Sequence, residues 1–166
     1  MGVATLIVYV TLGRRRIDYR FILLGSVLPD LMDGALSLFF FEGNSGRWIA
    51  HSILAVVVVT VLIVVGFRGE RRVSVFGVGV GWLLHLVGDG MWQAPLTFLW
   101  PAFGTDFSAT PREPYSWDLL SDPLSHSLTW AGELAGLAVL AWFVVAFGLT
   151  DPKRRRTFLR DGYLRP

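Results

Sequence analysis

Residues 25–34 read GSVLPDLMDG and place two aspartates inside an apolar block that spans residues 21–41. Asp30 and Asp33 are three positions apart, so on a helix they share one face. Pro29 weakens a helix locally, which in a membrane is tolerated where protein or a cavity satisfies the backbone. The stretch therefore predicts an apolar helix that carries carboxylates for a functional reason.

The composition of the whole chain is that of a membrane protein. Of its 166 residues, 53% are hydrophobic and 17% are charged, and the mean hydropathy is +0.53. A soluble domain of this size could not bury so much apolar surface in one core. The chain has no cysteine, which excludes disulfides and thiolate metal sites.

The apolar residues form blocks that are candidates for membrane spans of about 20 residues each. The five blocks cover residues 3–12, 21–41, 48–67, 73–100 and 128–149. Basic residues follow the short first block instead of preceding it, which argues against a cleaved signal peptide. Prolines and aromatic residues punctuate the end of the fourth block. We predict an all-α integral membrane protein, a bundle of about five transmembrane helices with a re-entrant or interfacial segment after the fourth.

The basic residues are distributed unevenly along the chain. Thirteen of the 15 lysines and arginines follow the first, third and fifth blocks, and the exceptions are Arg47 and Arg112. The positive-inside rule places those three segments in the cytoplasm. We expect a multi-pass inner-membrane (plasma-membrane) protein with one transmembrane domain (1–150) and a basic cytoplasmic tail (151–166). Scattered juxtamembrane cations also argue against nucleic acid as a partner, so the expected partner is the lipid bilayer.

Several polar side chains lie inside the predicted spans, where each charge costs roughly 2.5–3.5 kcal/mol on insertion scales. His85 and Asp89 are four apart and share a helix face. At a rise of about 1.5 Å per residue, both lie as deep in the fourth block as Asp30 and Asp33 lie in the second. His51 lies about one turn below the outer end of the third block. The sequence thus predicts that three antiparallel helices bring two histidines and three carboxylates to one layer.

Imidazole and carboxylate together are ligands that suit Zn²⁺, Mn²⁺ or Fe²⁺, and such an ion lowers the pKa of a bound water. We therefore predict a divalent metal site, preferably for Zn²⁺ or Mn²⁺. Its ligands would come from Asp30, Asp33, His51, His85 and Asp89. An ion-pair or proton-relay network and purely structural pairing are the alternatives for the same residues.

Catalytic roles are predicted for Asp33, Glu133 and Arg47. Asp33 would act as a base or orient a ligand. Glu133, near the same layer in the last block, would be a ligand, a general base or a structural partner of a neighbouring helix. Arg47 is the basic residue close to the layer and would pair with an anionic substrate group, with Asp33 or with a carbonyl.

Four motifs in this order resemble those of the membrane-bound metal-dependent hydrolase family, which includes a LexA-regulated (SOS) inner-membrane protein. They read LPDLMD (28–33), GRWIAHS (46–52), HLVGDGMW (85–92) and FLWP (98–101). The resemblance covers about residues 18–104 and implies a multi-helix membrane enzyme. Its PDxxD, GRxxxHS and HxxxD positions would bind metal, here Asp30, Asp33, His51, His85 and Asp89. Members commonly carry a histidine in the first helix, which this chain lacks, so either its first helix starts upstream of Met1 or a ligand is absent and the number of metal ions stays open.

Three functions are consistent with these features. The resemblance favours a metal-dependent hydrolase that cleaves an ester or phosphoester of a lipid-like substrate near the outer leaflet. Intramembrane carboxylates and histidines also form proton or metal-ion conduits, although the clustering of the charges in one half of the membrane and the absence of an inverted repeat argue against transport. The third function is a non-enzymatic membrane scaffold.

Overall fold

The computed structural model describes residues 2–12, 18–40, 47–107 and 127–163, and every regular element in these ranges is helical. The α-helices are α1 (Gly2–Leu12), α2 (Tyr19–Gly25), α3 (Leu28–Phe40), α4 (Ile53–Gly66), α5 (Gly69–Gly88), α6 (Pro95–Phe98), α7 (Ser127–Ala146) and α8 (Pro152–Asp161). Two 3₁₀ turns, Ile49–His51 and Met91–Gln93, precede α4 and α6. The predicted all-α class is therefore confirmed for the described residues.

The second, third and fourth apolar blocks each contain more than one helical element, which corrects the expectation of one helix per block. The second block breaks at Ser26 and Val27, just before Pro29, whose nitrogen cannot donate a helical hydrogen bond. The third block begins with a 3₁₀ turn. In the fourth block the chain turns after α5 at Gly90, whose φ of +64° lies in the left-handed region.

Within the described ranges, no helix combines the length and the apolar character needed to cross a membrane.

Helix α2 crosses α5 with the two backbones in close contact. A Cβ added to Gly25 would meet the backbone of Val78, and one added to Gly81 would meet that of Ile22. Small residues allow this approach. The contacts between the two segments move toward higher residue numbers in both of them. They pair Ile22 with Gly77, Ser26 with Gly81 and Asp30 with His85. The segment from α2 into α3 therefore runs parallel to α5, as the charge distribution predicts.

Helix α4 runs antiparallel to α5 and packs against it through a buried apolar cluster. Thr60 lies beside Gly79, and the Trp82 Nε1–H donates to the carbonyl oxygen of Ala50 at 2.8 Å. The cluster is formed by Ala50, Val56, Ile63, Val75, Val78, Trp82, Leu86, Met91 and Ala94. This packing brings the 3₁₀ turn before α4 to the C-terminal end of α5.

Helices α1 and α7 form a parallel pair on the other side of α2. The Tyr9 ring lies edge-on to the rings of Trp142, Phe143 and Phe147, at centroid separations of 5.9, 5.6 and 5.5 Å. Tyr19 and Ile22 of α2 belong to the same buried cluster as Phe143 and Phe147. The C-terminal end of α7 therefore lies beside the start of α2.

These packing directions give the bundle two different ends. The basic end carries the described cations that precede or begin α2 and α5 and those that follow α7, namely Arg20, Arg68, Arg71, Arg72, Lys153, Arg154, Arg155, Arg156 and Arg160. The site end carries the end of α5, the 3₁₀ turn before α4 and the described cation Arg47. The segment predicted as a basic tail contains α8, which packs on the basic end where the Tyr19 N–H donates to the Gly162 carbonyl at 3.0 Å.

Candidate metal centre

Three chain segments deliver the predicted ligands to the site end. Asp30 lies in the first turn of α3, directly after the break that follows α2. His85 lies in the last turn of α5, and Asp89 is the C-terminal cap directly after that helix. His51 belongs to the 3₁₀ turn Ile49–His51, called the His51 turn below. The ligands thus come from positions where helices begin or end, not from helix centres.

Asp33 holds the His51 turn in place. Its carboxylate is fully buried and accepts hydrogen bonds from Trp48 N (2.6 Å), Ala50 N (3.0 Å) and His51 Nδ1 (2.7 Å). A carboxylate that accepts at Nδ1 fixes the imidazole tautomer, so the lone pair is left on Nε2. Asp33 therefore lies behind His51 and turns the Nε2 of that ring into a ready ligand.

Ser52 and Trp82 fix the same turn from its other sides. The Ser52 hydroxyl donates to the Ile49 carbonyl (2.6 Å) and accepts from Ala55 N (3.2 Å). Ser52 is therefore the N-cap of α4, which begins at Ile53. The Trp82 indole binds the Ala50 carbonyl. Neither role was predicted from the sequence, although a serine directly before an apolar run is a recognised helix N-cap signal.

Four of the five predicted ligands meet in one group. Asp30, His51, His85 and Asp89 each offer one ligand atom, and these atoms lie within 4.8 Å of one another. His51 Nε2 is 3.4 Å from Asp30 Oδ1, 3.9 Å from Asp89 Oδ2 and 3.3 Å from His85 Nε2. His85 Nε2 is 3.6 Å from Asp30 Oδ1 and 4.0 Å from Asp89 Oδ2. The predicted polar layer is thus observed as a compact group.

The geometry of the group fits a divalent metal ion. Ligand bonds of about 2.0–2.1 Å in a tetrahedral site place neighbouring ligand atoms roughly 3.3–3.4 Å apart, close to the shorter separations observed. Two imidazole nitrogens and two carboxylate oxygens are a donor set for Zn²⁺, Mn²⁺ or Fe²⁺. Asp33, predicted as a fifth ligand, is outside this group because its oxygens face His51 Nδ1 and the turn backbone.

Arg47 contacts the group through Asp89. Arg47 Nη2 donates to Asp89 Oδ2 at 2.9 Å, and each side chain is 23% exposed. The sequence offered Asp33, a carbonyl or a substrate anion as partners of Arg47, whereas the structure pairs Arg47 with Asp89 and fills the Asp33 carboxylate with backbone N–H groups and His51. A charge-assisted bond of this length orients the Asp89 carboxylate toward the two histidines.

Glu133 lies on α7, and its side chain is outside the described part of the structure. Its roles as a ligand or a base therefore remain predictions from the sequence.

The segment after α5 forms a series of short helical turns at the site end. Met91, directly after Gly90, is fully buried in the α4–α5 cluster. Farther along, the Phe107 ring lies edge-on to Trp48 at 5.2 Å and stacks on Trp100 at 5.7 Å. The segment predicted to be re-entrant or interfacial thus packs beside the residue that precedes the His51 turn.

The chain belongs to the YdjM inner membrane protein family, whose model matches residues 1–155. No curated protein and no solved structure matches the chain. The family match confirms the predicted inner-membrane localisation and the association with a lipid bilayer.

Proposed function

We propose that this YdjM-family protein is a membrane-embedded, metal-dependent hydrolase that cleaves an ester or phosphoester of a lipid-like substrate near the outer leaflet. One observation carries the proposal: two carboxylates and two imidazoles from three chain segments converge within 4.8 Å. Carboxylates this close repel each other unless a cation or proton lies between them. A divalent ion, Zn²⁺ or Mn²⁺, satisfies all four groups at once.

The proposed membrane arrangement has about five apolar blocks crossing the bilayer, with the basic end and the C-terminus in the cytoplasm. Its support is the separation of charge between the two ends of the bundle. The cations of α5 and α8 lie at the end opposite to His51 and His85. Under the positive-inside rule the candidate metal centre then faces the outer leaflet.

In this scheme the residues around the ion have separate tasks. The ion, when bound, lowers the pKa of a water and polarises the scissile group. Asp33 holds His51 in its ligating tautomer, and Asp89 is held by Arg47. Arg47 Nε is buried and has no hydrogen-bond partner within the described residues, which supports a role for this guanidinium in binding a substrate anion. Glu133 is the proposed base, since the Asp33 carboxylate is already engaged.

The surroundings of Asp30 favour a lipid-like substrate. The Asp30 side chain is 44% exposed, the largest exposure in the four-residue group. Its chain neighbours Leu31 and Met32 are 60% and 46% exposed. Exposed apolar side chains beside a polar site suit a substrate that has an acyl or isoprenoid chain and a polar head.

The test combines metal analysis with a hydrolysis assay on the full chain in lipid nanodiscs. Purified protein should retain near-stoichiometric Zn²⁺ or Mn²⁺, and His85→Ala, Asp89→Ala and Asp30→Asn should each lose it. Asp106→Asn removes a described, exposed carboxylate outside the group and serves as the matched control. Release of phosphate or of the acyl product from phospholipid and isoprenoid phosphates should follow metal content. Unchanged metal retention in both His85→Ala and Asp89→Ala would contradict the proposal.

A second candidate, a proton or metal-ion conduit, is supported by one contact. His51 Nε2 and His85 Nε2 are 3.3 Å apart, within hydrogen-bond distance, and each lies close to Asp30. Such a chain of titratable groups suits proton transfer. Proton or divalent-ion flux into liposomes that requires Asp30 and Asp89, without hydrolysis, would favour the conduit over the hydrolase.

A further inference from the structure

Helix α8 is a fixed part of the basic end. Asp151 caps its N-terminus with a carboxylate that accepts from Lys153 N at 2.8 Å, and Gly162, whose φ is +75°, caps its C-terminus. Arg20 of α2 donates through Nη1 to the Leu159 and Arg160 carbonyls, both at 2.8 Å. These bonds satisfy carbonyls at the C-terminal end of α8 and set the rotation of the helix on the bundle.

The two faces of α8 differ in charge. Its inward face packs Phe158 against the cluster around Tyr19 and carries one cation, Arg154, beside Gly148. Asp161 is half-buried and interacts electrostatically with Arg20. At about 100° per residue, the outward face spans about 160° of the helix. That face carries the exposed side chains Lys153, Arg155, Arg156, Leu159 and Arg160. Leu159 is 63% exposed among these cations.

We infer that this outward face of α8 docks on the anionic phospholipid headgroups of the inner membrane. Charge complementarity favours anionic lipid, because four cations face outward. The two carboxylates of the segment do not offset them there, since Asp151 caps the start of the helix and Asp161 interacts with Arg20. Each cation near an anionic surface strengthens association roughly fivefold. Leu159 lies where an apolar side chain can enter the headgroup region. The inference is independent of the metal centre, which lies at the other end of the bundle.

The test uses a fluorescent probe on the full-length protein. The chain has no cysteine, so Leu159→Cys gives a unique site for an environment-sensitive fluorophore. The labelled protein is reconstituted in vesicles of phosphatidylcholine alone or with phosphatidylglycerol. With phosphatidylglycerol, the emission should shift to the blue and be quenched by brominated lipid. Both effects should disappear at about 1 M salt, where charges are screened within a few ångströms.

A charge variant separates lipid recognition from simple burial. Lys153→Gln, Arg155→Gln and Arg156→Gln together should weaken the phosphatidylglycerol-dependent shift roughly a hundredfold in lipid concentration. Arg68→Gln with Arg71→Gln removes exposed charge from the start of α5 and should leave the probe signal unchanged. Circular dichroism and metal content should stay the same in both variants.

Three results would overturn the inference. They are a probe exposed in both lipids, a shift of equal size in phosphatidylcholine alone, and a shift that survives the triple substitution. A probe shielded only after an acidic protein or RNA is added would assign the face to a macromolecular partner instead.

Discussion

Two buried aspartates, one at each end of the bundle, take part in different kinds of cluster. At the basic end, Asp18 binds Arg20 through Nε (2.9 Å) and Nη2 (2.6 Å) and accepts from Arg20 N at 3.1 Å. The hydrogen bond to Asp18 raises the pKa of Arg20. At the site end, Asp33 likewise accepts backbone N–H groups, but its third partner is the imidazole of His51. Both carboxylates are almost fully buried, at 4% and 0% exposure.

The difference lies beyond the aspartate. Arg20 also donates through Nη1 to two carbonyls of α8, so protein atoms complete the cluster at the basic end. His51 instead presents Nε2 to a second imidazole and to two carboxylates that offer acceptor atoms and negative charge. A cluster whose members are mutually complementary holds the fold together. Two imidazoles that converge with two carboxylates, of which Asp89 is paired with Arg47, indicate instead a site that can bind a cation.

The largest expected effect comes from neutralising Asp33. Asp33→Asn should lower metal affinity about 10- to 100-fold, because His51 loses the carboxylate that fixes its tautomer. Asp18→Asn makes the same chemical change at the basic end and should leave metal affinity unchanged. Competition titration with a chromophoric chelator measures both. Equal metal affinities in the two variants would show that Asp33 does not act on the metal site through His51.

The α2–α5 crossing connects the two ends, and its closeness can be tested with glycines. Gly81→Ala should lower the free energy of unfolding by about 1–3 kcal/mol, because the new Cβ meets the Ile22 backbone. Gly34→Ala, on α3, meets nothing within 4 Å and should be neutral or stabilising by up to about 1 kcal/mol. Thermal unfolding in one detergent compares them, and a larger loss for Gly34→Ala would contradict the observed packing.

The smallest expected effect is local to the basic end. Arg20→Lys keeps a cation beside the buried Asp18 but loses the Nη1 donor to the α8 carbonyls, and should accelerate tryptic cleavage within α8 about fivefold, through local opening worth about 1 kcal/mol. Metal content should not change. Arg71→Lys is the matched control, since that guanidinium lies over the Phe67 ring at 5.6 Å and does not contact α8 in the described residues. Cleavage that is equally fast in both variants would show that Arg20 does not fix α8.

Most of the polar layer could be predicted because helical spacing is a local property. Asp30, His85 and Asp89 were placed at one depth from their positions along apolar blocks, and the structure groups them with His51. The ends of the elements could not be placed in the same way. The break after α2 and the 3₁₀ geometry of the His51 turn depend on Pro29, on the Ser52 cap and on contacts with α5. Such capping and packing override the apolar periodicity.

The sequence by itself determined the all-helical class, the separation of basic residues from the acidic and histidine residues, and four members of one polar group. These features follow from composition and from the fixed rise and periodicity of a helix. Only the tertiary structure decided that Asp33 lies behind His51, that Arg47 binds Asp89, and that the basic tail folds back as α8 onto Arg20. Those choices depend on hydrogen-bond directions between segments far apart in sequence, where several partners of similar chemistry compete and geometry selects one.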